Sequence, residues 1–396
     1  MTTYSMTRAD GSHASYVDRK RYLWIAALMM PCAPLVGFAL YFATGSELWF
    51  LLPLVFLYGV VPLADVIFGN DENNPPEEVV PQLEQDSYYR YLVWATVPVY
   101  FITLGVAAWV VGAHSLSVWA IAAIALAAGN LSGTAITIGH ELGHKKSAVD
   151  RLLARIVLAA PAYGHFPIEH NRGHHTQVAT PEDPATSRMG ENIYAFACRE
   201  MPGALRRGWR LETERLAREG KPVFCADNEV LQSWGLTVII NVALIAAFGW
   251  VLIPFLALHH LAAWWGLTSA NYIEHYGLLR QKLANGRYER CEPKHSWNSN
   301  HIVSNIISFH LERHSDHHAN PTRSYQSLRH FDDAPQLPGG YSTVFLMAYL
   351  PPLWFHVMDR KVLAWAGGDL DKVNVAPGKR ARIEHRYADL LATARA

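Results

Sequence analysis

LSVWAIAAIALAAGNLSGTAITIGHELGHK, residues 116–145, decides how this chain folds. From Leu116 to Gly139 it carries no charged residue. As a helix rising about 1.5 Å per residue, that run is long enough to cross a hydrocarbon core of about 30 Å. It continues without a break into His140 and His144, which are four residues apart and so share one helical face. A membrane helix thus delivers two imidazoles, the commonest protein metal ligands, to its own end. Gly129, Ser132, Gly133 and Ala135 fall at spacings that let a second helix approach closely.

Similar runs lie on either side. Tyr22–Ala43 follows the basic triplet Arg19–Arg21 and is kinked by Pro31 and Pro34. Leu48–Phe68 has Asp65 as its only charge, and an acid there must face the bundle interior or the interface. Tyr91–Val111 is the third run. Residues 233–273 form 41 positions without Lys, Arg, Asp or Glu, and a turn between Gly249 and Pro254 divides them into a hairpin of two spans. The expectation is an all-α fold, a bundle of six transmembrane helices capped by a histidine-rich cytoplasmic region. Its divisions are a cytoplasmic arm at 1–21, four spans at 22–139, an extramembrane region at 140–232, the hairpin at 233–275 and a second extramembrane region at 276–396.

The outer links contain no Lys or Arg, whereas Lys145, Lys146, Arg151, Arg155, Arg280 and Lys282 follow the inner ends. The positive-inside rule then places both termini and all the histidines in the cytoplasm. Residues 1–18 read as a mobile polar arm with no signal peptide. The apolar stretch 151–166 is too short to span and reads as an interfacial or buried helix. The run 341–357, broken by Pro351 and Pro352, reads as interfacial or packed on the domain.

Formal net charge is zero over 396 residues, which gives no electrostatic case for nucleic acid. Cys32, Cys198, Cys225 and Cys291 form no C-x-x-C pair, so neither a disulfide framework nor a thiolate-held iron centre is expected within the chain.

Two further clusters repeat the spacing of the first. EHNRGHH (169–175) holds His170, His174 and His175, and LERHSDHHANP (311–321) holds His314, His317 and His318. At intervals of three and four, the imidazoles of the last cluster are expected to converge on a single point. His140-Glu-Leu-Gly-His144 reads literally as the H-E-x-x-H of zinc hydrolases. A zinc hydrolase needs about three protein ligands and one open position, and eight clustered histidines exceed that. So many neutral nitrogen donors suit two metal ions, and imidazole admits zinc, copper, nickel or iron. Glu141, Glu169, Asp183, Glu274, Glu312 and Asp316 are candidates to accept a hydrogen bond from the second nitrogen of a ligating histidine. A histidine-rich transporter or sensor is the non-enzymatic rival. It would place its ionisable groups near the midplane of the spans, and here they collect at helix ends.

HELGHK, EHNRGHH, NYIEHYGL (271–278) and LERHSDHHANP, in this order, resemble the integral-membrane alkane monooxygenases, within the superfamily of membrane fatty-acid desaturases and hydroxylases. The resemblance implies a non-haem di-iron monooxygenase that uses O2 to hydroxylate the terminal carbon of a linear alkane to a 1-alkanol. It implies nine ligands: His140, His144, His170, His174, His175, His275, His314, His317 and His318. Electrons would come from rubredoxin through rubredoxin reductase. No paired C-x-x-C follows residue 321, so that donor would be a separate protein. The implied location is the bacterial inner membrane, among membrane lipid, with the site on the cytoplasmic side. The alternative is a fatty-acyl desaturase or a lipid or xylene hydroxylase of the same superfamily. His165, His259, His260, His295, His301 and His310 fall outside the matched motifs and are expected to serve packing or to support the ligands from behind.

Overall fold

The computed structural model describes residues 2–8 and 10–393. Its framework is a set of long helices: α1 (Ile25–Thr44), α2 (Glu47–Phe68), α3 (Ser87–Ala113), α4 (Val118–Gly143), and, after an extramembrane stretch, α8 (Glu229–Phe248) and α9 (Leu252–His275). Between them lie α5 (Ala148–Val157), α6 (166–177) and α7 (Ile193–Arg218). After them come α10 (Ile302–Ile307), α11 (His314–Ala319), α12 (Tyr341–Ala348) and α13 (Pro351–Trp365).

Among the described residues five helices, α1 to α4 and α8, are long and apolar enough to cross a membrane. The sixth expected span, α9, has the length at 24 residues, but His259, His260, Asn271, Glu274 and His275 dilute its hydrophobicity. The reason is its position: from Thr268 to His275 every residue is buried, so its polar groups meet protein. α4 is likewise interior, with 61% of its apolar window buried, whereas α2 and α8 are only 22% and 17% buried and present their apolar surface outward. Trp49, Trp109, Trp119 and Trp250 are exposed at the helix ends opposite the histidines, the placement of a membrane-interface belt.

α4 and α9 form the axis of the bundle and run parallel. A Cβ on Gly129 would lie 2.4 Å from the carbonyl oxygen of His259, and one on Gly133 would lie 3.1 Å from that of Ala263. The small residues predicted to allow close approach do so at this contact. The shared direction brings both C-termini, with His140 and His275, to one end. Asp65 faces inward as required, accepting a hydrogen bond from the Ser304 backbone N–H at 3.0 Å at the start of α10.

The all-α expectation needs one correction. The arm expected at 1–18 is not free over its described residues: β1 (Thr3–Thr7) and β2 (His13–Val17) pair as an antiparallel ribbon, Tyr4 opposite Tyr16. The Asp10-Gly11 pair, with Gly11 at φ +83°, supplies the turn, a strong hairpin signal in sequence. The ribbon buries Tyr4, Ala14 and Tyr16, and the Tyr4 hydroxyl donates to Asp86 at 2.6 Å. Residues 341–357 pack on the domain as α12 and the start of α13, separated by Tyr349 and Leu350. The 151–166 stretch becomes the end of α5 and a set of buried turns.

The α4–α9 contact predicts that Gly129→Leu will lower stability by at least about 1–3 kcal/mol, the range for overpacking a tight contact. The thermal unfolding midpoint in detergent should fall accordingly. Gly105→Ala, in a helical position where a Cβ meets nothing within 4 Å, should leave the midpoint unchanged or raise it.

Candidate metal centre

The nine histidines named from the motifs fall into two groups, with all but the half-buried His144 and His175 buried. His140, His144, His170, His175 and His317 form one, and His174, His275, His314 and His318 form the other. In each group one ring nitrogen per residue lies within 4.8 Å of all the others. The groups adjoin, with the rings of His175 and His318 4.5 Å apart.

This division departs from the simple helical arithmetic. His170 and His174 are four residues apart but enter different groups, because His170–His174 is a π-helical turn. The His175 backbone N–H donates to the His170 carbonyl, the i to i+5 bond that brings those two side chains onto one line. His170 and His175 accordingly meet, Nε2 to Nε2, at 3.0 Å. In α11 the three histidines do not converge on one point either. His314 and His318, one turn apart, join the second group, while His317, about 100° round the helix from His318, turns to the first.

Nε2 atoms converge throughout: His140 to His317 at 2.8 Å, His317 to His175 at 3.1 Å, His318 to His314 at 2.8 Å and His314 to His275 at 3.3 Å. A metal–nitrogen bond of about 2.1 Å sets neighbouring donors about 3.0–3.4 Å apart for right-angled to tetrahedral geometry, so the donor sets fit a cation in each group. His144 Nε2 and His174 Nε2 are buried with no hydrogen-bond partner among the described residues, as donors aimed at a cation would be. Burial and the neighbouring imidazoles push His144, His170, His175, His314, His317 and His318 well below the ordinary imidazole range. They are therefore neutral donors at pH 7, the form a metal requires.

His174 is the exception. Burial opposes its charge, but the Asp183 carboxylate outweighs burial and holds it above the usual value. Asp183 contacts His174 Nδ1 at 2.8 Å, leaving Nε2 for the second group. It also accepts from the Thr186 hydroxyl at 2.6 Å and pairs with Arg207 at 2.7 Å. Arg207, carried on α7, donates through Nε to Glu169 at 2.9 Å and passes over Gly173, where a Cβ would sit 2.6 Å from Nε. This arginine had no signal in the sequence, since RRGWR reads as an ordinary basic helix face.

The other carboxylates are placed differently. Glu274 lies 3.3 Å from Nε2 of His314, on the side where the nitrogens converge, and accepts from the Tyr341 hydroxyl at 2.8 Å. Glu312, pushed up to about 8 by burial, accepts from the Tyr341 backbone N–H at 2.9 Å. Glu141 pairs with Lys145 at 2.9 Å, and Asp316 pairs with Arg323 at 2.8 Å; neither meets a histidine. His295 offers only its carbonyl, 3.4 Å from Nδ1 of His275. His259 and His260 hydrogen-bond within the bundle to Ser132 and Asn241, and His301 to Ser299. His310 meets the Tyr325 carbonyl at 2.9 Å, and His165 packs on Tyr163, so none of these six enters either group.

Beneath the histidines a largely apolar cavity follows α4 from His140 back to Asn130. His140, His170 and His314 line one end, while Leu57, Leu267 and Ile307 contribute apolar wall. The arrangement sets two adjacent groups of nitrogen donors, each able to hold a cation, beside an apolar cavity.

The family model for fatty acid desaturases matches residues 116–347. The chain is 56% identical to an alkane 1-monooxygenase of Pseudomonas putida, over 95% of this chain and 94% of that one. It is 53% identical to alkane 1-monooxygenase 1 of Alcanivorax borkumensis, over 96% and 94% of the two. The hydroxylase component of a xylene/toluene monooxygenase of Pseudomonas putida is 26% identical over 63% of this chain and 65% of its own length.

Asp183→Asn should weaken metal retention by about 10–100-fold, the usual loss when the acceptor behind a ligating histidine is replaced. Competition with a chelator measures it. Glu141→Gln, which removes a carboxylate that meets no histidine, should leave retention unchanged.

Proposed function

We propose that this chain, which belongs to the fatty acid desaturase family and to its alkane 1-monooxygenase branch, is a membrane-bound monooxygenase. It converts the terminal methyl group of a linear alkane to a primary alcohol: R–CH3 + O2 + 2 e⁻ + 2 H⁺ gives R–CH2OH + H2O. The observation that carries the reading is the meeting of two all-histidine groups with a largely apolar cavity at the tips of membrane-length helices.

Five histidines would hold one iron ion and four the other, with Asp183 fixing the orientation of His174. Iron held there supplies redox chemistry toward O2. The rest is done by the chain. Substrate recognition rests on shape and apolar burial, each buried CH2 contributing about 0.8 kcal/mol. Leu57, Leu267 and Ile307 would hold the hydrocarbon and exclude water, and His140, His170 and His314 would receive its terminal carbon. α9 is read as the sixth span, which puts both termini and the histidines on the cytoplasmic side of a bacterial inner membrane. A separate rubredoxin would deliver the two electrons on that side.

The test uses the full chain in lipid nanodiscs with rubredoxin, its reductase, NADH and dodecane. The expected product is 1-dodecanol, with about two irons bound per chain. Turnover of acyl lipids alone, with no alkanol from any alkane, would assign the chain to the desaturase side of the family instead. His275→Ala should lower bound iron and abolish hydroxylation; full retention of both would remove His275 from the ligand set.

A further inference from the structure

The cavity under the histidines holds about 110 Å³, below the roughly 300–1,000 Å³ of ordinary small-molecule sites. A second and larger space, about 720 Å³, lies beside it as a groove among α2, α4, α7 and α9. Leu54, Leu126, Met201, Leu258, Leu261 and Trp265 contribute to its apolar lining. Leu126 and Leu261 are 42% and 52% exposed, so the groove opens on the apolar outer surface of the bundle. Asn130 lines both spaces.

At Asn130, where the two spaces adjoin, polar side chains are linked in a short run. The Asn130 side-chain amide donates to the Tyr58 hydroxyl oxygen at 2.9 Å. The Tyr58 ring meets Tyr349 edge-on, with centroids 6.4 Å apart. The Tyr349 hydroxyl is 3.1 Å from Ser269 Oγ on α9. Tyr58 sits in a second π-helical turn, Phe56–Val60, none of whose residues is buried. π-Turns inside helices are rare and recur at functional sites. A Cβ on Gly59 in the same turn would meet only the Val55 side chain of its own helix, at 4.0 Å, so no neighbouring helix packs against the turn at that position.

We propose that Tyr58, latched to Asn130, is a gate between the lipid-facing groove and the cavity beneath the histidines. A hydrocarbon dissolved in the bilayer enters the groove sideways, displaces the tyrosine hydroxyl from the asparagine, and threads its end toward the histidines while its tail remains in the groove. The two spaces together have the capacity that the inner one lacks. The inference rests on the alkane reading and adds the entry route and the residues that control it.

The test uses the iron-loaded full chain in nanodiscs with rubredoxin, reductase and dodecane. Tyr58→Phe keeps the ring and removes the accepting oxygen, and Asn130→Leu removes the donor. Each should raise kcat/KM about 3- to 10-fold, the value of one hydrogen bond, with kcat unchanged. The double variant should gain no more than either single one, because both break the same latch. A second arm reads the groove without turnover. Cys198 is exposed and lines it, so with the other three cysteines changed to serine, dodecane should slow labelling of Cys198 by a lipid-soluble maleimide. Single variants within twofold of an active wild type, additive effects in the double variant, or labelling indifferent to dodecane would overturn the gate. Absence of alkanol from the wild type would instead count against the alkane reading, and the labelling arm would still decide whether hydrocarbon occupies the groove.

Discussion

The site depends on how closely α4 and α9 approach. Their backbones touch at Gly129 and Gly133, where even one methyl group would meet a carbonyl oxygen of the facing helix. Because the helices are parallel, that contact sets His140 and His275 at the same height, one from each C-terminus. A membrane offers no hydrophobic drive for helices to associate, so close packing of small residues must supply the attraction. It also fixes the floor on which α6 and α11 place the remaining histidines.

Above that floor, polar groups are held by other polar groups. Arg313, fully buried beside the first histidine of α11, pairs with Asp71 at 2.8 Å and donates to the Leu328 carbonyl at 2.7 Å. Asp71 also pairs with Lys20, so the connector between α2 and α3 and the segment before α1 both brace the third histidine cluster. A buried charge left alone is costly, and each of these is compensated by at least one partner of opposite sign. The same logic runs through Arg207, Glu169 and Asp183 beneath the second cluster. The ordered N-terminal ribbon is part of this brace, which explains why it is not a loose arm.

Much of this was legible in the residues. Apolar runs of bilayer length mark five helices, and three histidine clusters mark eight of the nine imidazoles that the fold brings together. His275 was legible only through NYIEHYG, since a single imidazole in an apolar setting carries no pattern of its own. The division into two groups was not legible, because the i, i+4 rule assumes α geometry and the turn at His170–His174 is π-helical. α9 differs from the other long helices in its polar residues: His259 and His260 hydrogen-bond within the bundle, and Asn271, Glu274 and His275 lie at its buried C-terminal end. The ribbon was hidden behind a polar composition, although Asp10-Gly11 marked its turn.

Two π-turns stand at the two ends of the proposed substrate path, one re-aiming histidines and one carrying Tyr58. A π-turn inserts one extra residue into a helix and so rotates everything beyond it relative to what precedes it. At the histidine end the rotation is locked, since Gly173 lies under Arg207 and His170, Gly173 and His174 are buried. At the groove end no buried residue anchors the turn among the described residues, and it sits in a helix whose apolar window is only 22% buried. One backbone irregularity therefore serves two ends according to its packing. Where buried salt bridges surround it, it gives a rigid donor set for a cation. Where the contacts of one tyrosine with Asn130 and Tyr349 restrain it, it leaves the segment that we propose yields to a hydrocarbon chain.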